Sequence, residues 1–314
     1  SVYSLLRETE RTQHMTVGEF YLALIDEFER NGKLGNRRAY KGSYNSLNSF
    51  TGDNLDICFE DITQGWLLNY ESWLRAKGNK ETTISIQFRT LRSVYNKAIK
   101  RKCVGKEYYP FEDFHINKFN VHTDKRAISK NDVLKIISAD LTGKSEYVKF
   151  SRDIFVFSYL CGGINFCDVA RLTKENILNG RLSYVRQKTG KQINLCLTKN
   201  ASAIIDKYYK GGKGFLFPIL DITRHITATQ KENRLHKVLG QVDKSLKIVA
   251  QIAKVDVNLT TYVARHSYAT VLKRSGVPTS IICESLGHSS ERVTQIYLDS
   301  FENEQIDEAM KNLL

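Results

Sequence analysis

The sequence predicts a mainly α-helical chain of two domains, the second an α+β domain with a small antiparallel sheet. Three observations carry the prediction. Apolar residues recur at three- and four-residue steps over most of residues 16–101 and again beyond 129, the period of helices with one buried face. Strict alternation occurs once, over residues 181–197, on either side of a Lys188-Thr189-Gly190-Lys191 turn. Between the helical runs, residues 103–127 lose the period, and Tyr108-Tyr109-Pro110-Phe111 and the polar His122-Thr123-Asp124-Lys125 read as a linker. A length of 314 residues suits two domains. The boundary is placed near 121–127, giving domains 1–122 and 123–314.

In the first domain, Thr16-Val17-Gly18-Glu19 has the form of a capping box, and the apolar stripe Phe20, Leu24, Ile25 and Phe28 follows it until Asn31-Gly32. A second helix is expected over Arg37–Phe50, with Tyr40, Tyr44 and Leu47 inward. Thr63 caps a third, which carries Trp66, Leu67, Tyr70, Trp73 and Leu74 and closes at Gly78-Asn79. The fourth, over about 80–101, turns Ile84, Phe88, Leu91, Tyr95 and Ile99 to the core. It holds six basic residues (Lys80, Arg89, Arg92, Lys97, Lys100 and Arg101) against one acid, Glu81. A basic face on an apolar back suits a phosphate backbone, so Arg89, Arg92, Lys97 and Lys100 are candidate DNA contacts; a solvated charged face is the plainer alternative.

In the second domain, Ser129-Lys130-Asn131-Asp132 caps a helix through Ile137, and an apolar helix over Arg152–Leu160 ends at Gly162-Gly163. A helix from Asn165 leads to Leu172, strands cover 181–187 and 192–197, and long helices return over 199–209 and 228–254.

Charge narrows the function. Lys and Arg number 47 against 34 Asp and Glu, a net +13, which points to an anionic partner and, first among these, nucleic acid. No apolar run reaches the roughly 18 residues of a membrane span, and SVYSLLRETE meets charge too early for a signal peptide. A cytoplasmic, nucleoid-associated protein is expected. The six cysteines, at 58, 103, 161, 167, 196 and 283, form no CxxC pair or zinc spacing and read as reduced thiols.

The segment with chemical content reads Thr261-Tyr262-Val263-Ala264-Arg265-His266-Ser267-Tyr268-Ala269-Thr270, then Leu286-Gly287-His288-Ser289-Ser290, then Tyr297-Leu298-Asp299. Arg265 precedes His288 by 23 residues, and Tyr297 follows His288 by nine. A helix-turn-helix over 271–288, with Gly276 in the turn, fits the segment less closely. These boxes resemble the C-terminal boxes of the tyrosine recombinase (phage integrase) family, in particular integrases of bacterial mobile elements. The resemblance spans roughly residues 14–310. It implies an N-terminal SAM-like core-binding domain and a catalytic domain, closed like a C around duplex DNA. The Lys188 hairpin lies where the family keeps its catalytic lysine.

The chemistry asks for these residue types. Attack on a phosphodiester builds charge on the non-bridging oxygens, and the planar fork of Arg265 can clamp two of them. His288 would donate to the phosphate or assist proton transfer. Tyr297 is the expected nucleophile; its phenol, with an ordinary pKa of about 10, needs cationic neighbours, expected from Arg265 and His288. By resemblance, Lys188 protonates the leaving 5′ oxygen and the intermediate is a 3′-phosphotyrosyl linkage. That linkage conserves bond energy, so no metal, ATP or other cofactor is expected.

Two positions depart from the family's pattern. Its first arginine box corresponds to Gly162-Gly163-Ile164-Asn165-Phe166-Cys167-Asp168-Val169, which puts Asn165 where arginine should stand. Arg186 offers a substitute: two residues before Lys188, it would leave the same face of a strand. A DNA-backbone or surface role for Arg186 remains open, and Arg171 is the weaker candidate. Tyr262 stands in place of a histidine; a phenol donates a hydrogen bond to phosphate but is a poor base at neutral pH. His266, Asp168 and Glu175 are expected in structural roles, and Lys191 competes with Lys188.

The functional reading is a site-specific recombinase of the integrase, transposase or invertase type. The rivals are a type IB topoisomerase and a non-catalytic DNA-binding regulator. Double-stranded DNA is the expected partner, with a dimer or tetramer on DNA and an accessory DNA-bending protein. Residues 300–314 carry Phe301, Ile306, Met310 and Leu313 on one helical stripe, to dock on a neighbouring protomer or within the chain. The chain opens on Ser1, not Met, which leaves room for an arm-binding domain upstream.

Overall fold

The computed structural model describes residues 15–119, 126–295 and 298. The linker core and the stripe over 300–314 lie outside them, as does Tyr297. The chain divides into two compact units, residues 1–122 and 123–314.

Among the described residues of the first unit are the helices α1 (Val17–Arg30), α2 (Leu34–Phe50), α3 (Gln64–Ala76) and α4 (Glu81–Lys100). Thr16 and Glu19 close the capping box that starts α1, and the Thr63 hydroxyl accepts from Trp66 N–H to start α3. Gly18 lets α1 pass close to the chain before α3: its N–H donates to the Leu55 carbonyl at 3.0 Å, and a Cβ there would stand 2.9 Å from that oxygen. The α4 stripe is buried as its period predicts, with Ile84, Phe88, Leu91 and Tyr95 inaccessible; Val94 and Ala98 complete the face and Ile99 is half-buried. Phe59 sits edge-on between Phe20 and Tyr95, with ring centroids at 5.5 and 5.4 Å.

The second unit begins with α5 (Lys130–Ser138), α6 (Glu146–Leu160) and a single turn, α7 (Phe166–Val169). Strands β1 (Ile177–Leu178), β2 (Arg181–Val185) and β3 (Gln192–Cys196) follow, then α8 (Lys199–Tyr208), α9 (Ala228–Ile252), α10 (Thr261–Arg274), α11 (Thr279–Ser285) and α12 (Glu291–Gln295). The strands form an antiparallel sheet in the order β1-β2-β3, with Leu182 opposite Leu195 and Tyr184 opposite Ile193. Leu182, Tyr184 and Ile193 face the core, which α6 crosses beneath α9 and α10. Among the described residues no helix is long and apolar enough to cross a membrane.

The mainly helical architecture with one small antiparallel sheet is as the sequence predicts. Three local expectations need correction. Helix α6 starts six residues earlier than expected because the Ser145 hydroxyl accepts from Val148 N–H. The helix expected over Asn165–Leu172 lasts one turn, since Arg171 and Leu172 bond back only three residues and Thr173 then bridges Phe215. Strand β2 ends at Val185, so Arg186 and Lys188 do not share a strand face: Arg186 N–H donates to the Lys191 carbonyl and its own carbonyl accepts from Gly190, which folds 186–191 into a turn. That turn buries Arg186 and exposes Lys188.

Candidate active site

The site is built where α6, α10, α11 and the β2–β3 turn converge. Helix α6 ends at Gly162 and Gly163, both left-handed (φ +69° and +64°). A Cβ on Gly163 would stand 2.9 Å from the Arg265 Cα, so only glycine lets α10 approach this closely. The start of α10 is tied to α9 by Thr261 N–H donating to Asp243 Oδ1 at 2.8 Å. One turn further on, Arg265 is 2% exposed, with its guanidinium spread between two backbone segments. Its Nη1 donates to the Gly163 carbonyl at 2.8 Å and its Nη2 to the Leu286 carbonyl at 2.5 Å.

Leu286, Gly287 and His288 form the turn after α11, with Gly287 left-handed (φ +62°). Each of the three carbonyls accepts from a cationic side chain. Arg265 takes Leu286, Arg186 Nη1 takes Gly287 at 2.7 Å with help from the Thr189 hydroxyl at 3.1 Å, and Lys191 Nζ takes His288. The last carbonyls of a helix carry partial negative charge, so the backbone of this turn gathers cations. Arg186 is 3% exposed and reaches the turn across a sequence separation of 101 residues.

His288 is buried between Arg265 and Thr294. Its Nε2 lies 3.0 Å from Arg265 Nη2, and its Nδ1 lies 2.9 Å from the Thr294 hydroxyl. A guanidinium only donates, so Nε2 accepts, the ring proton sits on Nδ1, and the Thr294 oxygen accepts it. Burial, reinforced by Arg265, Arg186, Lys188 and Lys191, pushes the imidazole pKa down to about 3. Burial among these cations favours the neutral imidazole. The cations are the two guanidiniums and the lysines of the turn.

Asp168 lies behind this cluster, 3% exposed, and its Oδ1 accepts from Gln187 N–H at 3.0 Å, pinning the β2–β3 turn to α7. Burial pushes its carboxyl up, against the pull of the Gln187 N–H, Arg186, Arg171 and Arg265. Arg171, just past α7, donates to the Cys167 carbonyl at 2.6 Å. Asn165 is half-buried at the head of α7, and its side chain makes no cap bond.

The structure thus brings together Arg265, His288 and Arg186, with Lys188 at the exposed crest of the turn that carries Arg186. Tyr262, on the same helix as Arg265, is 41% exposed and stacks edge-on against His266 at 4.8 Å. In the other unit, Arg89, Arg92, Lys97 and Lys100 line one groove of about 390 Å³ on α4, together with Ser93 and Asn96. Sequence reasoning missed Thr294. The available signal was a hydroxyl residue six positions after His288 and three before Tyr297, in an otherwise amphipathic segment.

The profile of the phage integrase SAM-like domain matches residues 16–119, and that of the phage integrase family matches residues 126–304. The chain is 24% identical over 248 residues to the tyrosine recombinase XerD of Halalkalibacterium halodurans, covering 76% of this chain and 77% of that protein. The Tn1549 transposon integrase in complex with a circular intermediate DNA is similar at a TM-score of 0.65 and 17% identity, over 95% of this chain and 99% of that one. A lambda integrase dimer bound to a COC′ core site is similar at a TM-score of 0.64 and 15% identity, over 96% and 84%. The two structural likenesses are ones of fold.

Proposed function

Because the chain belongs to the phage integrase family of tyrosine recombinases, and is a site-specific DNA recombinase, we propose that the cluster around Arg265 and His288 is its phosphate-activating centre. The observation that carries this reading is the convergence of two buried guanidiniums and a neutral imidazole on the turn 286–288. Guanidiniums gathered before substrate arrives stabilise the charge of a pentacoordinate phosphorus without reorganising at the moment of reaction.

In this reading Tyr297 Oη bonds to phosphorus and the P–O5′ bond breaks. The phenolic proton passes to His288 Nε2 or to water, and Lys188 gives a proton to the leaving 5′ oxygen. The strand is left joined through a 3′-phosphotyrosyl bond. Rejoining reverses each step: a 5′ hydroxyl from the exchanging duplex attacks phosphorus, the P–O bond to tyrosine breaks, and the phenol is restored. Arg265 clamps the non-bridging oxygens, Arg186 takes the part left by Asn165, and Tyr262 donates to the phosphate. Arg89, Arg92, Lys97 and Lys100 hold the backbone of the DNA.

The partner is double-stranded DNA, bound as a dimer or tetramer, with an accessory DNA-bending protein, in association with the nucleoid. Relatives captured on DNA support the first two parts: the Tn1549 integrase complex contains DNA and the lambda integrase complex is a dimer on its core site. A nicked suicide duplex carrying the cognate site tests the reading. Wild-type protein should accumulate a covalent adduct, and paired sites should recombine. Adduct formation with supercoil relaxation but no dependence on paired sites would indicate a topoisomerase; binding with no adduct would indicate a regulator.

A further inference from the structure

The imidazole of His288 meets a hydroxyl on the side away from Arg265. Thr294 is fully buried on α12, and its hydroxyl lies 2.9 Å from His288 Nδ1. Arg265 occupies the other ring nitrogen at 3.0 Å and can only donate. We propose that Thr294 is a positioning residue for strand cleavage: its hydroxyl keeps the ring proton on Nδ1 and leaves Nε2 as a proton acceptor beside Arg265. This inference rests on the reading of His288 as part of the reaction centre.

Two physical points favour a role in chemistry over plain packing. A hydroxyl, unlike a carboxylate, orients the ring without adding negative charge, so it does not stabilise an imidazolium. The ring therefore stays neutral among Arg265, Arg186, Lys188 and Lys191, with Nε2 held against the Arg265 guanidinium. A hydroxyl also accepts from Nδ1–H or, by rotating, donates to a bare Nδ1. Arg265, which only donates, fixes Nε2 as the acceptor, and the Thr294 hydroxyl turns to meet the proton on Nδ1. Thr294 also lies three residues before Tyr297 in sequence, so the same hydrogen bond ties the imidazole to the segment that leads to the nucleophile.

The experiment uses the full chain with 15N-labelled histidine, His288→Gln identifying the resonances among the seven histidines. Without DNA at neutral pH, the wild type should show a protonated Nδ1 and a bare, pyridine-type Nε2. Thr294→Val, nearly the same shape without the hydroxyl, should redistribute the ring proton and slow cleavage of a nicked duplex about tenfold, the effect of one lost hydrogen bond. Thr294→Ser should restore both. A wild-type ring protonated on Nε2 overturns the proposal whatever the variants do. So does Thr294→Val that keeps the wild-type tautomer and cleavage rate. If His288→Gln itself cleaves like the wild type, the broader reading of His288 fails; if it is impaired while Thr294→Val is not, only the present inference fails.

Discussion

Arg186 and Arg265 donate to neighbouring carbonyls, those of Gly287 and Leu286, at 2.7 and 2.5 Å, and so hold two guanidiniums against one turn. Arg265 arrives from α10 and Arg186 from the β2–β3 turn. Like charges gathered this closely repel, and the carbonyls at the end of α11 with the Asp168 carboxyl offset the repulsion. Such an arrangement is costly to keep unless an anion is to be bound.

Arg186→Ala should lower covalent adduct formation on a suicide duplex by about a hundredfold or more, the usual effect of removing one preorganised donor to a developing anion. Asn165→Ala, at the position where the family keeps its arginine, should change the rate by no more than a few fold. Single-turnover cleavage with both variants checks the pair. Equal, small effects would remove Arg186 from the reaction.

Gly163→Ala should destabilise the catalytic unit by about 1–3 kcal/mol, because the left-handed backbone disfavours a side chain. The added Cβ would also stand 2.9 Å from the Arg265 Cα and displace α10. Thermal unfolding measures the first effect and adduct formation the second; Gly276→Ala, left-handed but with open space around it, separates strain from displacement.

His288 carries a pH signature. Its folded pKa of about 3 lies below the ordinary value of 6.5, so the unfolded chain binds the extra proton first. The stability linked to this group is fully present above pH 6.5 and is lost as pH falls from there toward 3. Hydrogen exchange over residues 261–295 should therefore accelerate between pH 6.5 and 4.5, relative to the intrinsic rate, more in wild type than in His288→Gln. Both tryptophans, Trp66 and Trp73, lie in the other unit, so their fluorescence should not follow this change if the two units unfold independently.

The groove on α4 predicts a salt effect. Arg89→Ala and Arg92→Ala should each weaken binding to any duplex, and each should reduce the slope of log K against log salt by about one, the signature of one phosphate that the variant leaves without its cation. Anisotropy titrations at several salt concentrations measure it. Unchanged slopes would leave these arginines as solvated surface.

Much of the site was legible because its parts are local in sequence. Arg265 and its neighbours occupy one helix, and His288 closes the next, so spacing alone places them. The capping box at Thr16 and the apolar stripe of α4 are likewise written in consecutive turns. Arg186 was harder. Its burial is decided by a carbonyl 101 residues away, and alternation extended the strand one residue pair too far. Strand β1, two residues long, is too short for any alternation to register. The neutral state of His288 depends on tertiary burial among cations, which no local pattern encodes.

The most direct test identifies the residue that carries the DNA. Protein trapped on a nicked suicide duplex is digested with nuclease and trypsin, and the modified peptide is sequenced by mass spectrometry. Residues 293–311 form a tryptic peptide with a single tyrosine. A nucleotide remnant on Tyr297, absent when Tyr297→Phe protein is used, is the predicted result. An adduct on another residue, or one that persists in Tyr297→Phe, would contradict the account.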